Sequence, residues 1–397
     1  MNDWRVPGFT STGSKRPEAL FGPDPGPEVP ARVSRASGCR VWDDGGREYL
    51  DFVMALGAVA LGYGHPSVNQ AAEQAIADGV VGPLPPLAEE DLAQSLSARI
   101  PWLERVRFLK TGAEAVAAAV RIARVATGRE HVLGCGYHGW LDWCQGGAEG
   151  IPAAVRALFA ELPFNDVTAA REMIRERGRQ LAAVVVEPVV VAEPTREWLD
   201  ALRTETQKVG AVLIFDEIKT GFRLAIGGAG ERYGVRPDLA VYGKALANGF
   251  PLAAVGGRAD LMAAATRTWI SSTLATEGVA LAAARATLEV FERSAVCDHL
   301  HRVGTRLLHG LHRLQRKYPD AIAGVAGMAE MCFLHYATEE ISRAVAVGCA
   351  KEGVLFKRTA YNFVSLAHDE GAVDRALEVL DGVLRGVNGY TRARNEP

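Results

Sequence analysis

The stretch AVLIFDEIKTGFR, Ala211 to Arg223, drives five apolar residues straight into two carboxylates, Asp216 and Glu217. A short, near-continuous apolar run is how a strand buried on both faces reads, and such strands belong to parallel sheets covered by helices. Working outward, runs of the same kind recur at Val106 to Leu109, His131 to Cys135, Ala182 to Val186, Leu239 to Tyr242 and Leu252 to Gly256, bounded by Gly or Pro and separated by helical stretches. The expected fold is α/β, with a mostly parallel sheet in a large domain.

Upstream, Gly38 to Phe52 reads as a hairpin, because Val41-Trp42 and Glu48-Tyr49-Leu50 flank the turn residues Asp44-Gly45-Gly46. After about Glu277 the pattern changes to one long helix through roughly Lys317, then strand, helix, strand and helix to about Val387. That is a second, smaller α/β domain. Leu355 to Ala367 is expected as one of its strands and Ala372 to Leu384 as its last helix. The domains are therefore drawn at 1–51, an N-terminal segment packing with the small domain, 52–277 for the large domain and 278–397 for the small one.

Composition narrows the function. With 397 residues, 48% hydrophobic and 23% charged, the chain is long enough for a large core and ordinary for a soluble protein. The formal charge is -3 and no Lys/Arg block is present, so nucleic acid is not expected as a partner. The longest greasy stretch, Leu181 to Val191, is interrupted by Glu187 and Pro188, too short for a membrane span. The six cysteines are scattered without a C-x-x-C pair, pointing to reduced thiols, a cytoplasmic location and no metal framework. His299, His301, His309 and His312 lie on an amphipathic helical stretch rich in Arg and Leu and read as its solvated face.

In open α/β sheets ligands bind at the carboxyl ends of the strands, so the polar residues ending each run are the candidates. After Leu109 come Lys110-Thr111-Gly112-Ala113, a turn into an alanine-rich helix whose free N–H groups suit a phosphate, or a plain helix cap. After Cys135 come Gly136-Tyr137-His138-Gly139-Trp140, aromatics that can stack on a flat ligand or plug a core. Asp216 needs a partner if buried: a cationic ring nitrogen, a helix end or Arg223. Tyr242-Gly243-Lys244 places one of only eight lysines among apolar neighbours. A lysine there can lose its proton and attack a carbonyl, which an arginine cannot, although a surface charge is the plainer reading.

These ends follow in a telling order: Thr-Gly-Ala turn, Tyr-His-Gly loop, Glu187-Pro188, Phe-Asp-Glu, then Gly-Lys 28 residues past the Asp. With LIFDEIKTGFR (213–223), YGVRPDLAVYGKALANGFPLAAVGGR (233–258), STLATEGVALAAA and FVSLAHDEGAVDRALEVL, the chain from about Gly38 to Val387 resembles the class III aminotransferases, fold type I enzymes dependent on pyridoxal 5'-phosphate (PLP), especially the branch around glutamate-1-semialdehyde aminomutase. The resemblance implies that Lys244 forms the Schiff base and Asp216 pairs with the pyridinium nitrogen. It implies Tyr137 stacked on the ring, Thr111, Gly112 and Ala113 at the phosphate, His138 and Glu187 in the cofactor site, and Thr273 reaching the phosphate of a neighbouring subunit in a homodimer.

Three departures bear on substrate. The family's Asn-Ser-Gly-Thr reads Lys110-Thr111-Gly112-Ala113, adding a cation beside the phosphate turn. Phe21 to Val29 lacks the Arg that holds the aminomutase substrate's carboxylate, arguing against that activity. Met54 to Ala58 replaces a more polar stretch, suggesting an apolar pocket wall, while Lys219, Arg223 and Arg358 are candidate anion anchors. The expected activity is a ping-pong transfer from an amino-acid donor to a keto or aldehyde acceptor. The alternatives are an aminomutase or epimerase on the same cofactor, and a catalytically inactive ligand-binding homologue.

Overall fold

The computed structural model describes residues 5–145, 147 and 149–395. The chain divides into two compact units, one of residues 66–297, the other of the residues up to His65 together with those from Asp298 onward.

The first unit is built on a seven-stranded sheet in the order Arg105–Leu109, Ala253–Gly257, Leu239–Tyr242, Val212–Asp216, Leu181–Val186, His131–Cys135, Phe159–Glu161. Ala253–Gly257 is antiparallel to both its neighbours, and the other pairings are parallel. Alternate residues of the central strands enter opposite cores, as the pleat demands. Ala183, Val185, Val212, Ile214 and Val241 pack with the helix Gly112–Thr127, while Val184, Val186, Leu213 and Phe215 meet Trp198, Leu199 and Leu202 of the helix Arg196–Val209. Both faces are therefore covered, which is why those strands carry no polar alternation. The edge strand Phe159–Glu161 has only three residues, too few to stand out in the sequence.

Local chemistry sets the helix ends. Thr111 caps Gly112–Thr127 in a capping box, its Oγ1 accepting from Glu114 N at 3.3 Å and Glu114 Oε2 accepting from Thr111 N at 2.9 Å. Gly128, at φ 68°, closes the other end in the left-handed region that suits glycine.

The second unit contains the expected hairpin, Arg40–Asp43 against Glu48–Asp51, flanked by Val33–Ser37 and, in parallel, by Val354–Leu355. Three expectations are corrected. The helix from Glu277 to Lys317 is two, Gly278–Ser294 and Val296–Lys317, parted at Ala295 with φ 43°. The first small-domain strand is a pair, Ile322–Met328 antiparallel to Met331–Tyr336. The segment 355–367 is not one strand: Val354–Leu355 and Asn362–Phe363 are separate, because Asn362 closes a loop by accepting from Lys357 N at 2.7 Å and donating to Lys357 O at 3.1 Å.

The last helix, Glu370–Asn395, extends past Leu384. Met54–Gly57 is a left-handed turn held by buried Asp51, which accepts from Val53 N at 2.8 Å, Met54 N at 3.0 Å and the Tyr63 hydroxyl at 2.8 Å. On the helical histidine stretch, His301 Nδ1 lies 3.0 Å from Glu330 Oε1 and His299 Nε2 2.8 Å from the His368 carbonyl, so these two are engaged by the unit's own groups. Among the described residues, no helix is long and apolar enough to cross a membrane.

Candidate active site

The carboxyl ends of the parallel strands converge on one cavity of about 320 Å³ in the unit 66–297. Its walls include Lys110 to Ala113 after the first strand, Tyr137 to Trp140 after His131–Cys135, Glu187 after Leu181–Val186, Asp216 at the end of its strand, and Lys244 after Leu239–Tyr242. Register brings them together: Cys135 pairs with Val186, Val186 with Phe215, and Asp216 with Val241.

Lys244 is two residues past its strand and at φ 47°, a left-handed conformation that a side-chain-bearing residue adopts only at a cost. Burial pushes its ammonium down to about 8, against the opposing pull of Glu187. Asp216 is 3% exposed, and its Oδ2 lies 2.8 Å from Nδ1 of His138, itself 3% exposed. Oδ1 accepts from Ile218 N at 3.2 Å. The partner of Asp216 is thus His138 rather than Arg223, which is fully buried and does not line the cavity. His138 lies nearly parallel to Trp143 at 6.0 Å, and its Nε2 is buried with no hydrogen-bond partner among the described residues.

The aromatic loop is fitted tightly to its neighbours through glycine. Gly139, at φ 98°, approaches the helix so closely that a Cβ on it would sit 2.5 Å from Ala113 Cβ. A Cβ on Gly136, at φ 100°, would sit 2.6 Å from Glu187 Oε2. Glu187 in turn accepts from Tyr137 N at 2.9 Å and pairs through Oε1 with Lys219 Nζ at 2.9 Å. Tyr137 and Trp140 stay 67% and 73% exposed and both line the cavity.

At the Lys110–Ala113 turn, the Thr111 N–H and hydroxyl are taken by Glu114, leaving the Gly112 and Ala113 N–H groups at the helix N-terminus. Lys110 is turned to Glu277 Oε1 at 2.7 Å, tying the turn to the cap of the helix Gly278–Ser294. Glu217, by contrast, is structural: it accepts from Thr220 Oγ1 and, at 2.8 Å each, from Ala229 N and Gly230 N. Thr273 is exposed and does not line the cavity, and Arg358 pairs with Glu339.

Lys110, Thr111, Gly112, Ala113, Tyr137, His138, Glu187, Lys219, Asp216 and Lys244 are therefore brought together, and Thr273 is not. The Lys219–Glu187 and Lys110–Glu277 pairs escaped sequence reasoning, since only the order of the strands makes these residues neighbours.

The donor set fits PLP. A depressed amine suits an aldehyde, a buried carboxylate backed by His138 suits a cationic ring nitrogen, exposed aromatic faces suit a flat ring, and helix N–H groups suit a phosphate.

Comparison with known proteins agrees. The family model "Aminotransferase class-III" matches residues 22–370. Among solved structures, the FumI protein of Sphingopyxis sp. MTA144, solved with PLP, superposes with a TM-score of 0.90 at 27% identity, covering 96% of this chain and 94% of that one. An omega-transaminase from Sphaerobacter thermophilus gives 0.84 at 26% identity, covering 97% and 99%. A beta-phenylalanine aminotransferase from Variovorax paradoxus gives 0.84 at 27%, covering 94% and 90%.

Proposed function

Because the chain belongs to the class III aminotransferases, PLP-dependent enzymes that move an amino group from a donor to a keto acceptor, we propose that Lys244 is the residue joined to PLP and Asp216 the carboxylate facing its ring nitrogen. The observation that carries this reading is that the two stand in one cavity at the ends of adjacent parallel strands.

When bound, PLP supplies the aldehyde that accepts an amino group and a cationic ring that spreads carbanion charge. The chain's own residues prepare the rest. With its ammonium at about 8, roughly a tenth of Lys244 side chains are neutral at pH 7, against fewer than about one in a thousand at an ordinary lysine value. Lys244 Nζ is also the base placed to take and return a proton at the substrate carbon. Asp216, kept in place by His138 and the Ile218 amide, holds negative charge where a ring proton must stay. Tyr137 would pack against the ring and the Gly112 and Ala113 N–H groups would hold the phosphate, while Glu187 fixes the loop that carries Tyr137.

A homodimer fits the exposed apolar surface. Val80, Val81, Leu84, Leu87, Trp269 and Leu274 are all exposed, and Gly278 N donates to Val80 O at 2.7 Å, joining the segment that follows Thr273 to the one that begins at Val80. In that assembly Thr273 reaches the partner's phosphate, and the cytoplasm suits six free thiols.

The test is direct. Borohydride reduction of PLP-loaded protein followed by peptide mapping should fix the label on Lys244 and nowhere else. Alanine or glutamate as donor should then bleach the visible band of unreduced protein. A band indifferent to every amino donor would refute transamination, and a label on another lysine would refute the assignment of Lys244.

A further inference from the structure

Lys219 occupies a place that neither the strand-end argument nor the family motif assigns a task. It is nearly buried in the same cavity as Lys244, and its Nζ pairs with Glu187 Oε1 at 2.9 Å while Glu187 Oε2 accepts the Tyr137 amide at 2.9 Å. A nearly buried ammonium is costly unless paired, and the pair is retained beside the reactive amine.

We propose that Lys219 is a positioning residue of this site: it clamps Glu187, which clamps the Tyr137 loop, and its ammonium offsets the Glu187 charge in the cavity that holds Lys244. The inference rests on the assignment of Lys244 made above.

Among the described residues, the charged groups that act on Lys244 include Glu187, Lys219, Asp216 with its partner His138 and, from outside the cavity lining, Arg223, with Lys110 and Tyr137 lining the same cavity. Of these, Glu187 and Asp216 favour the ammonium, and Lys219 and Arg223 oppose it. Removing Lys219 deletes an opposing cation and also frees the full charge of Glu187, so both effects push Lys244 the same way, toward protonation. Removing the Glu187 charge does the reverse, leaving Lys219 unopposed. A residue that merely fills space predicts no such opposition in sign.

The reaction that reports this is cofactor loading. Neutral Lys244 Nζ bonds to the PLP aldehyde carbon, and the aldehyde oxygen leaves as water, so the rate follows the neutral fraction. The full-length protein is stripped of cofactor with an amine and reloaded with PLP, and the loading rate is followed by absorbance across pH. Lys219→Met should move the midpoint up by about one unit, slowing loading about tenfold at pH 7. Glu187→Gln should move it down, the double variant should fall between them, and Lys219→Arg should keep the native midpoint.

A midpoint that Lys219→Met and Glu187→Gln leave unmoved, or shift in the same direction, overturns the proposal. Glu187→Gln alone decides the matter if Lys219→Met does not fold, because a midpoint that fails to drop is equally fatal. Borohydride mapping of each reloaded variant separates this outcome from failure of the underlying reading, which would show as a label absent from Lys244.

Discussion

His138 Nδ1 lies 2.8 Å from Asp216 Oδ2, with both side chains buried, so the carboxylate that ends the central strand is held by the loop that follows its second neighbour across the sheet. Among the described residues Asp216 accepts one other hydrogen bond, from Ile218 N. The imidazole therefore does more than occupy space: it fixes which way the carboxylate points. A buried carboxylate that lost this donor would face the full cost of an unsatisfied charge.

His138→Ala is accordingly expected to cost about 1–3 kcal/mol of stability in chemical denaturation and to weaken PLP binding at least about tenfold. His138→Asn, which can still donate to Asp216, should recover part of both. Equal losses in the two variants would show that the ring's packing on Trp143, rather than its hydrogen bond, is what matters.

Gly139 seats the same loop against Ala113, in the first turn of the helix Gly112–Thr127. With φ at 98° and Ala113 Cβ only 2.5 Å from where a Cβ would stand, Gly139→Ala must both strain the backbone and push Tyr137 and Trp140 away from the helix N-terminus. PLP affinity, measured by equilibrium dialysis, should fall about tenfold or more while stability drops by only about 1–3 kcal/mol. Unchanged affinity would mean that the loop's seating on the helix is irrelevant to the cofactor.

These two contacts show where the sequence was legible. The strands were readable because burial on both faces leaves unbroken apolar runs, and the site residues because each such run ends in a polar residue at the sheet's carboxyl edge. Lys244, Asp216 and Tyr137 all fall at such ends. The pairing of those residues was not readable: whether Asp216 meets His138 or Arg223 depends on the spatial order of the strands, which a linear pattern does not contain. Ala295 was invisible for a different reason, since alanine is the best helix former and carries no stop signal, yet here it takes the left-handed conformation between two helices. Asn362 misled likewise, because its loop-closing bonds to Lys357 interrupt what reads as a continuous apolar strand.

Glu217 gives a pH dependence separate from catalysis. Burial raises its carboxyl from 4.5 to about 7, overcoming three donors, Thr220 Oγ1, Ala229 N and Gly230 N, that favour the charged form. A carboxyl raised on folding binds more protons in the folded state than in the unfolded state between those two values. Its contribution is therefore full below about 4.5, lost as pH rises through about 7, and worth about 3 kcal/mol. Glu217→Gln cannot titrate, so the native protein should lose more unfolding free energy than the variant between pH 5 and pH 7.5, by about 2 kcal/mol. Parallel pH profiles would place the carboxyl's folded value near its ordinary one.

The break at Ala295 supplies the last expectation. A non-glycine residue in the left-handed region costs about 1 kcal/mol relative to glycine, which reaches it freely, although glycine also gives the unfolded chain more entropy to lose. At φ 43° and ψ 49°, between Ser294 and Val296, the first effect outweighs the second. Ala295→Gly should therefore stabilise the protein by about 0.5–1 kcal/mol, seen as a higher denaturant midpoint with an unchanged slope. If the substitution destabilised instead, the two helices would have to run through position 295 in solution without the left-handed turn, restoring the single long helix that their amphipathic pattern suggests.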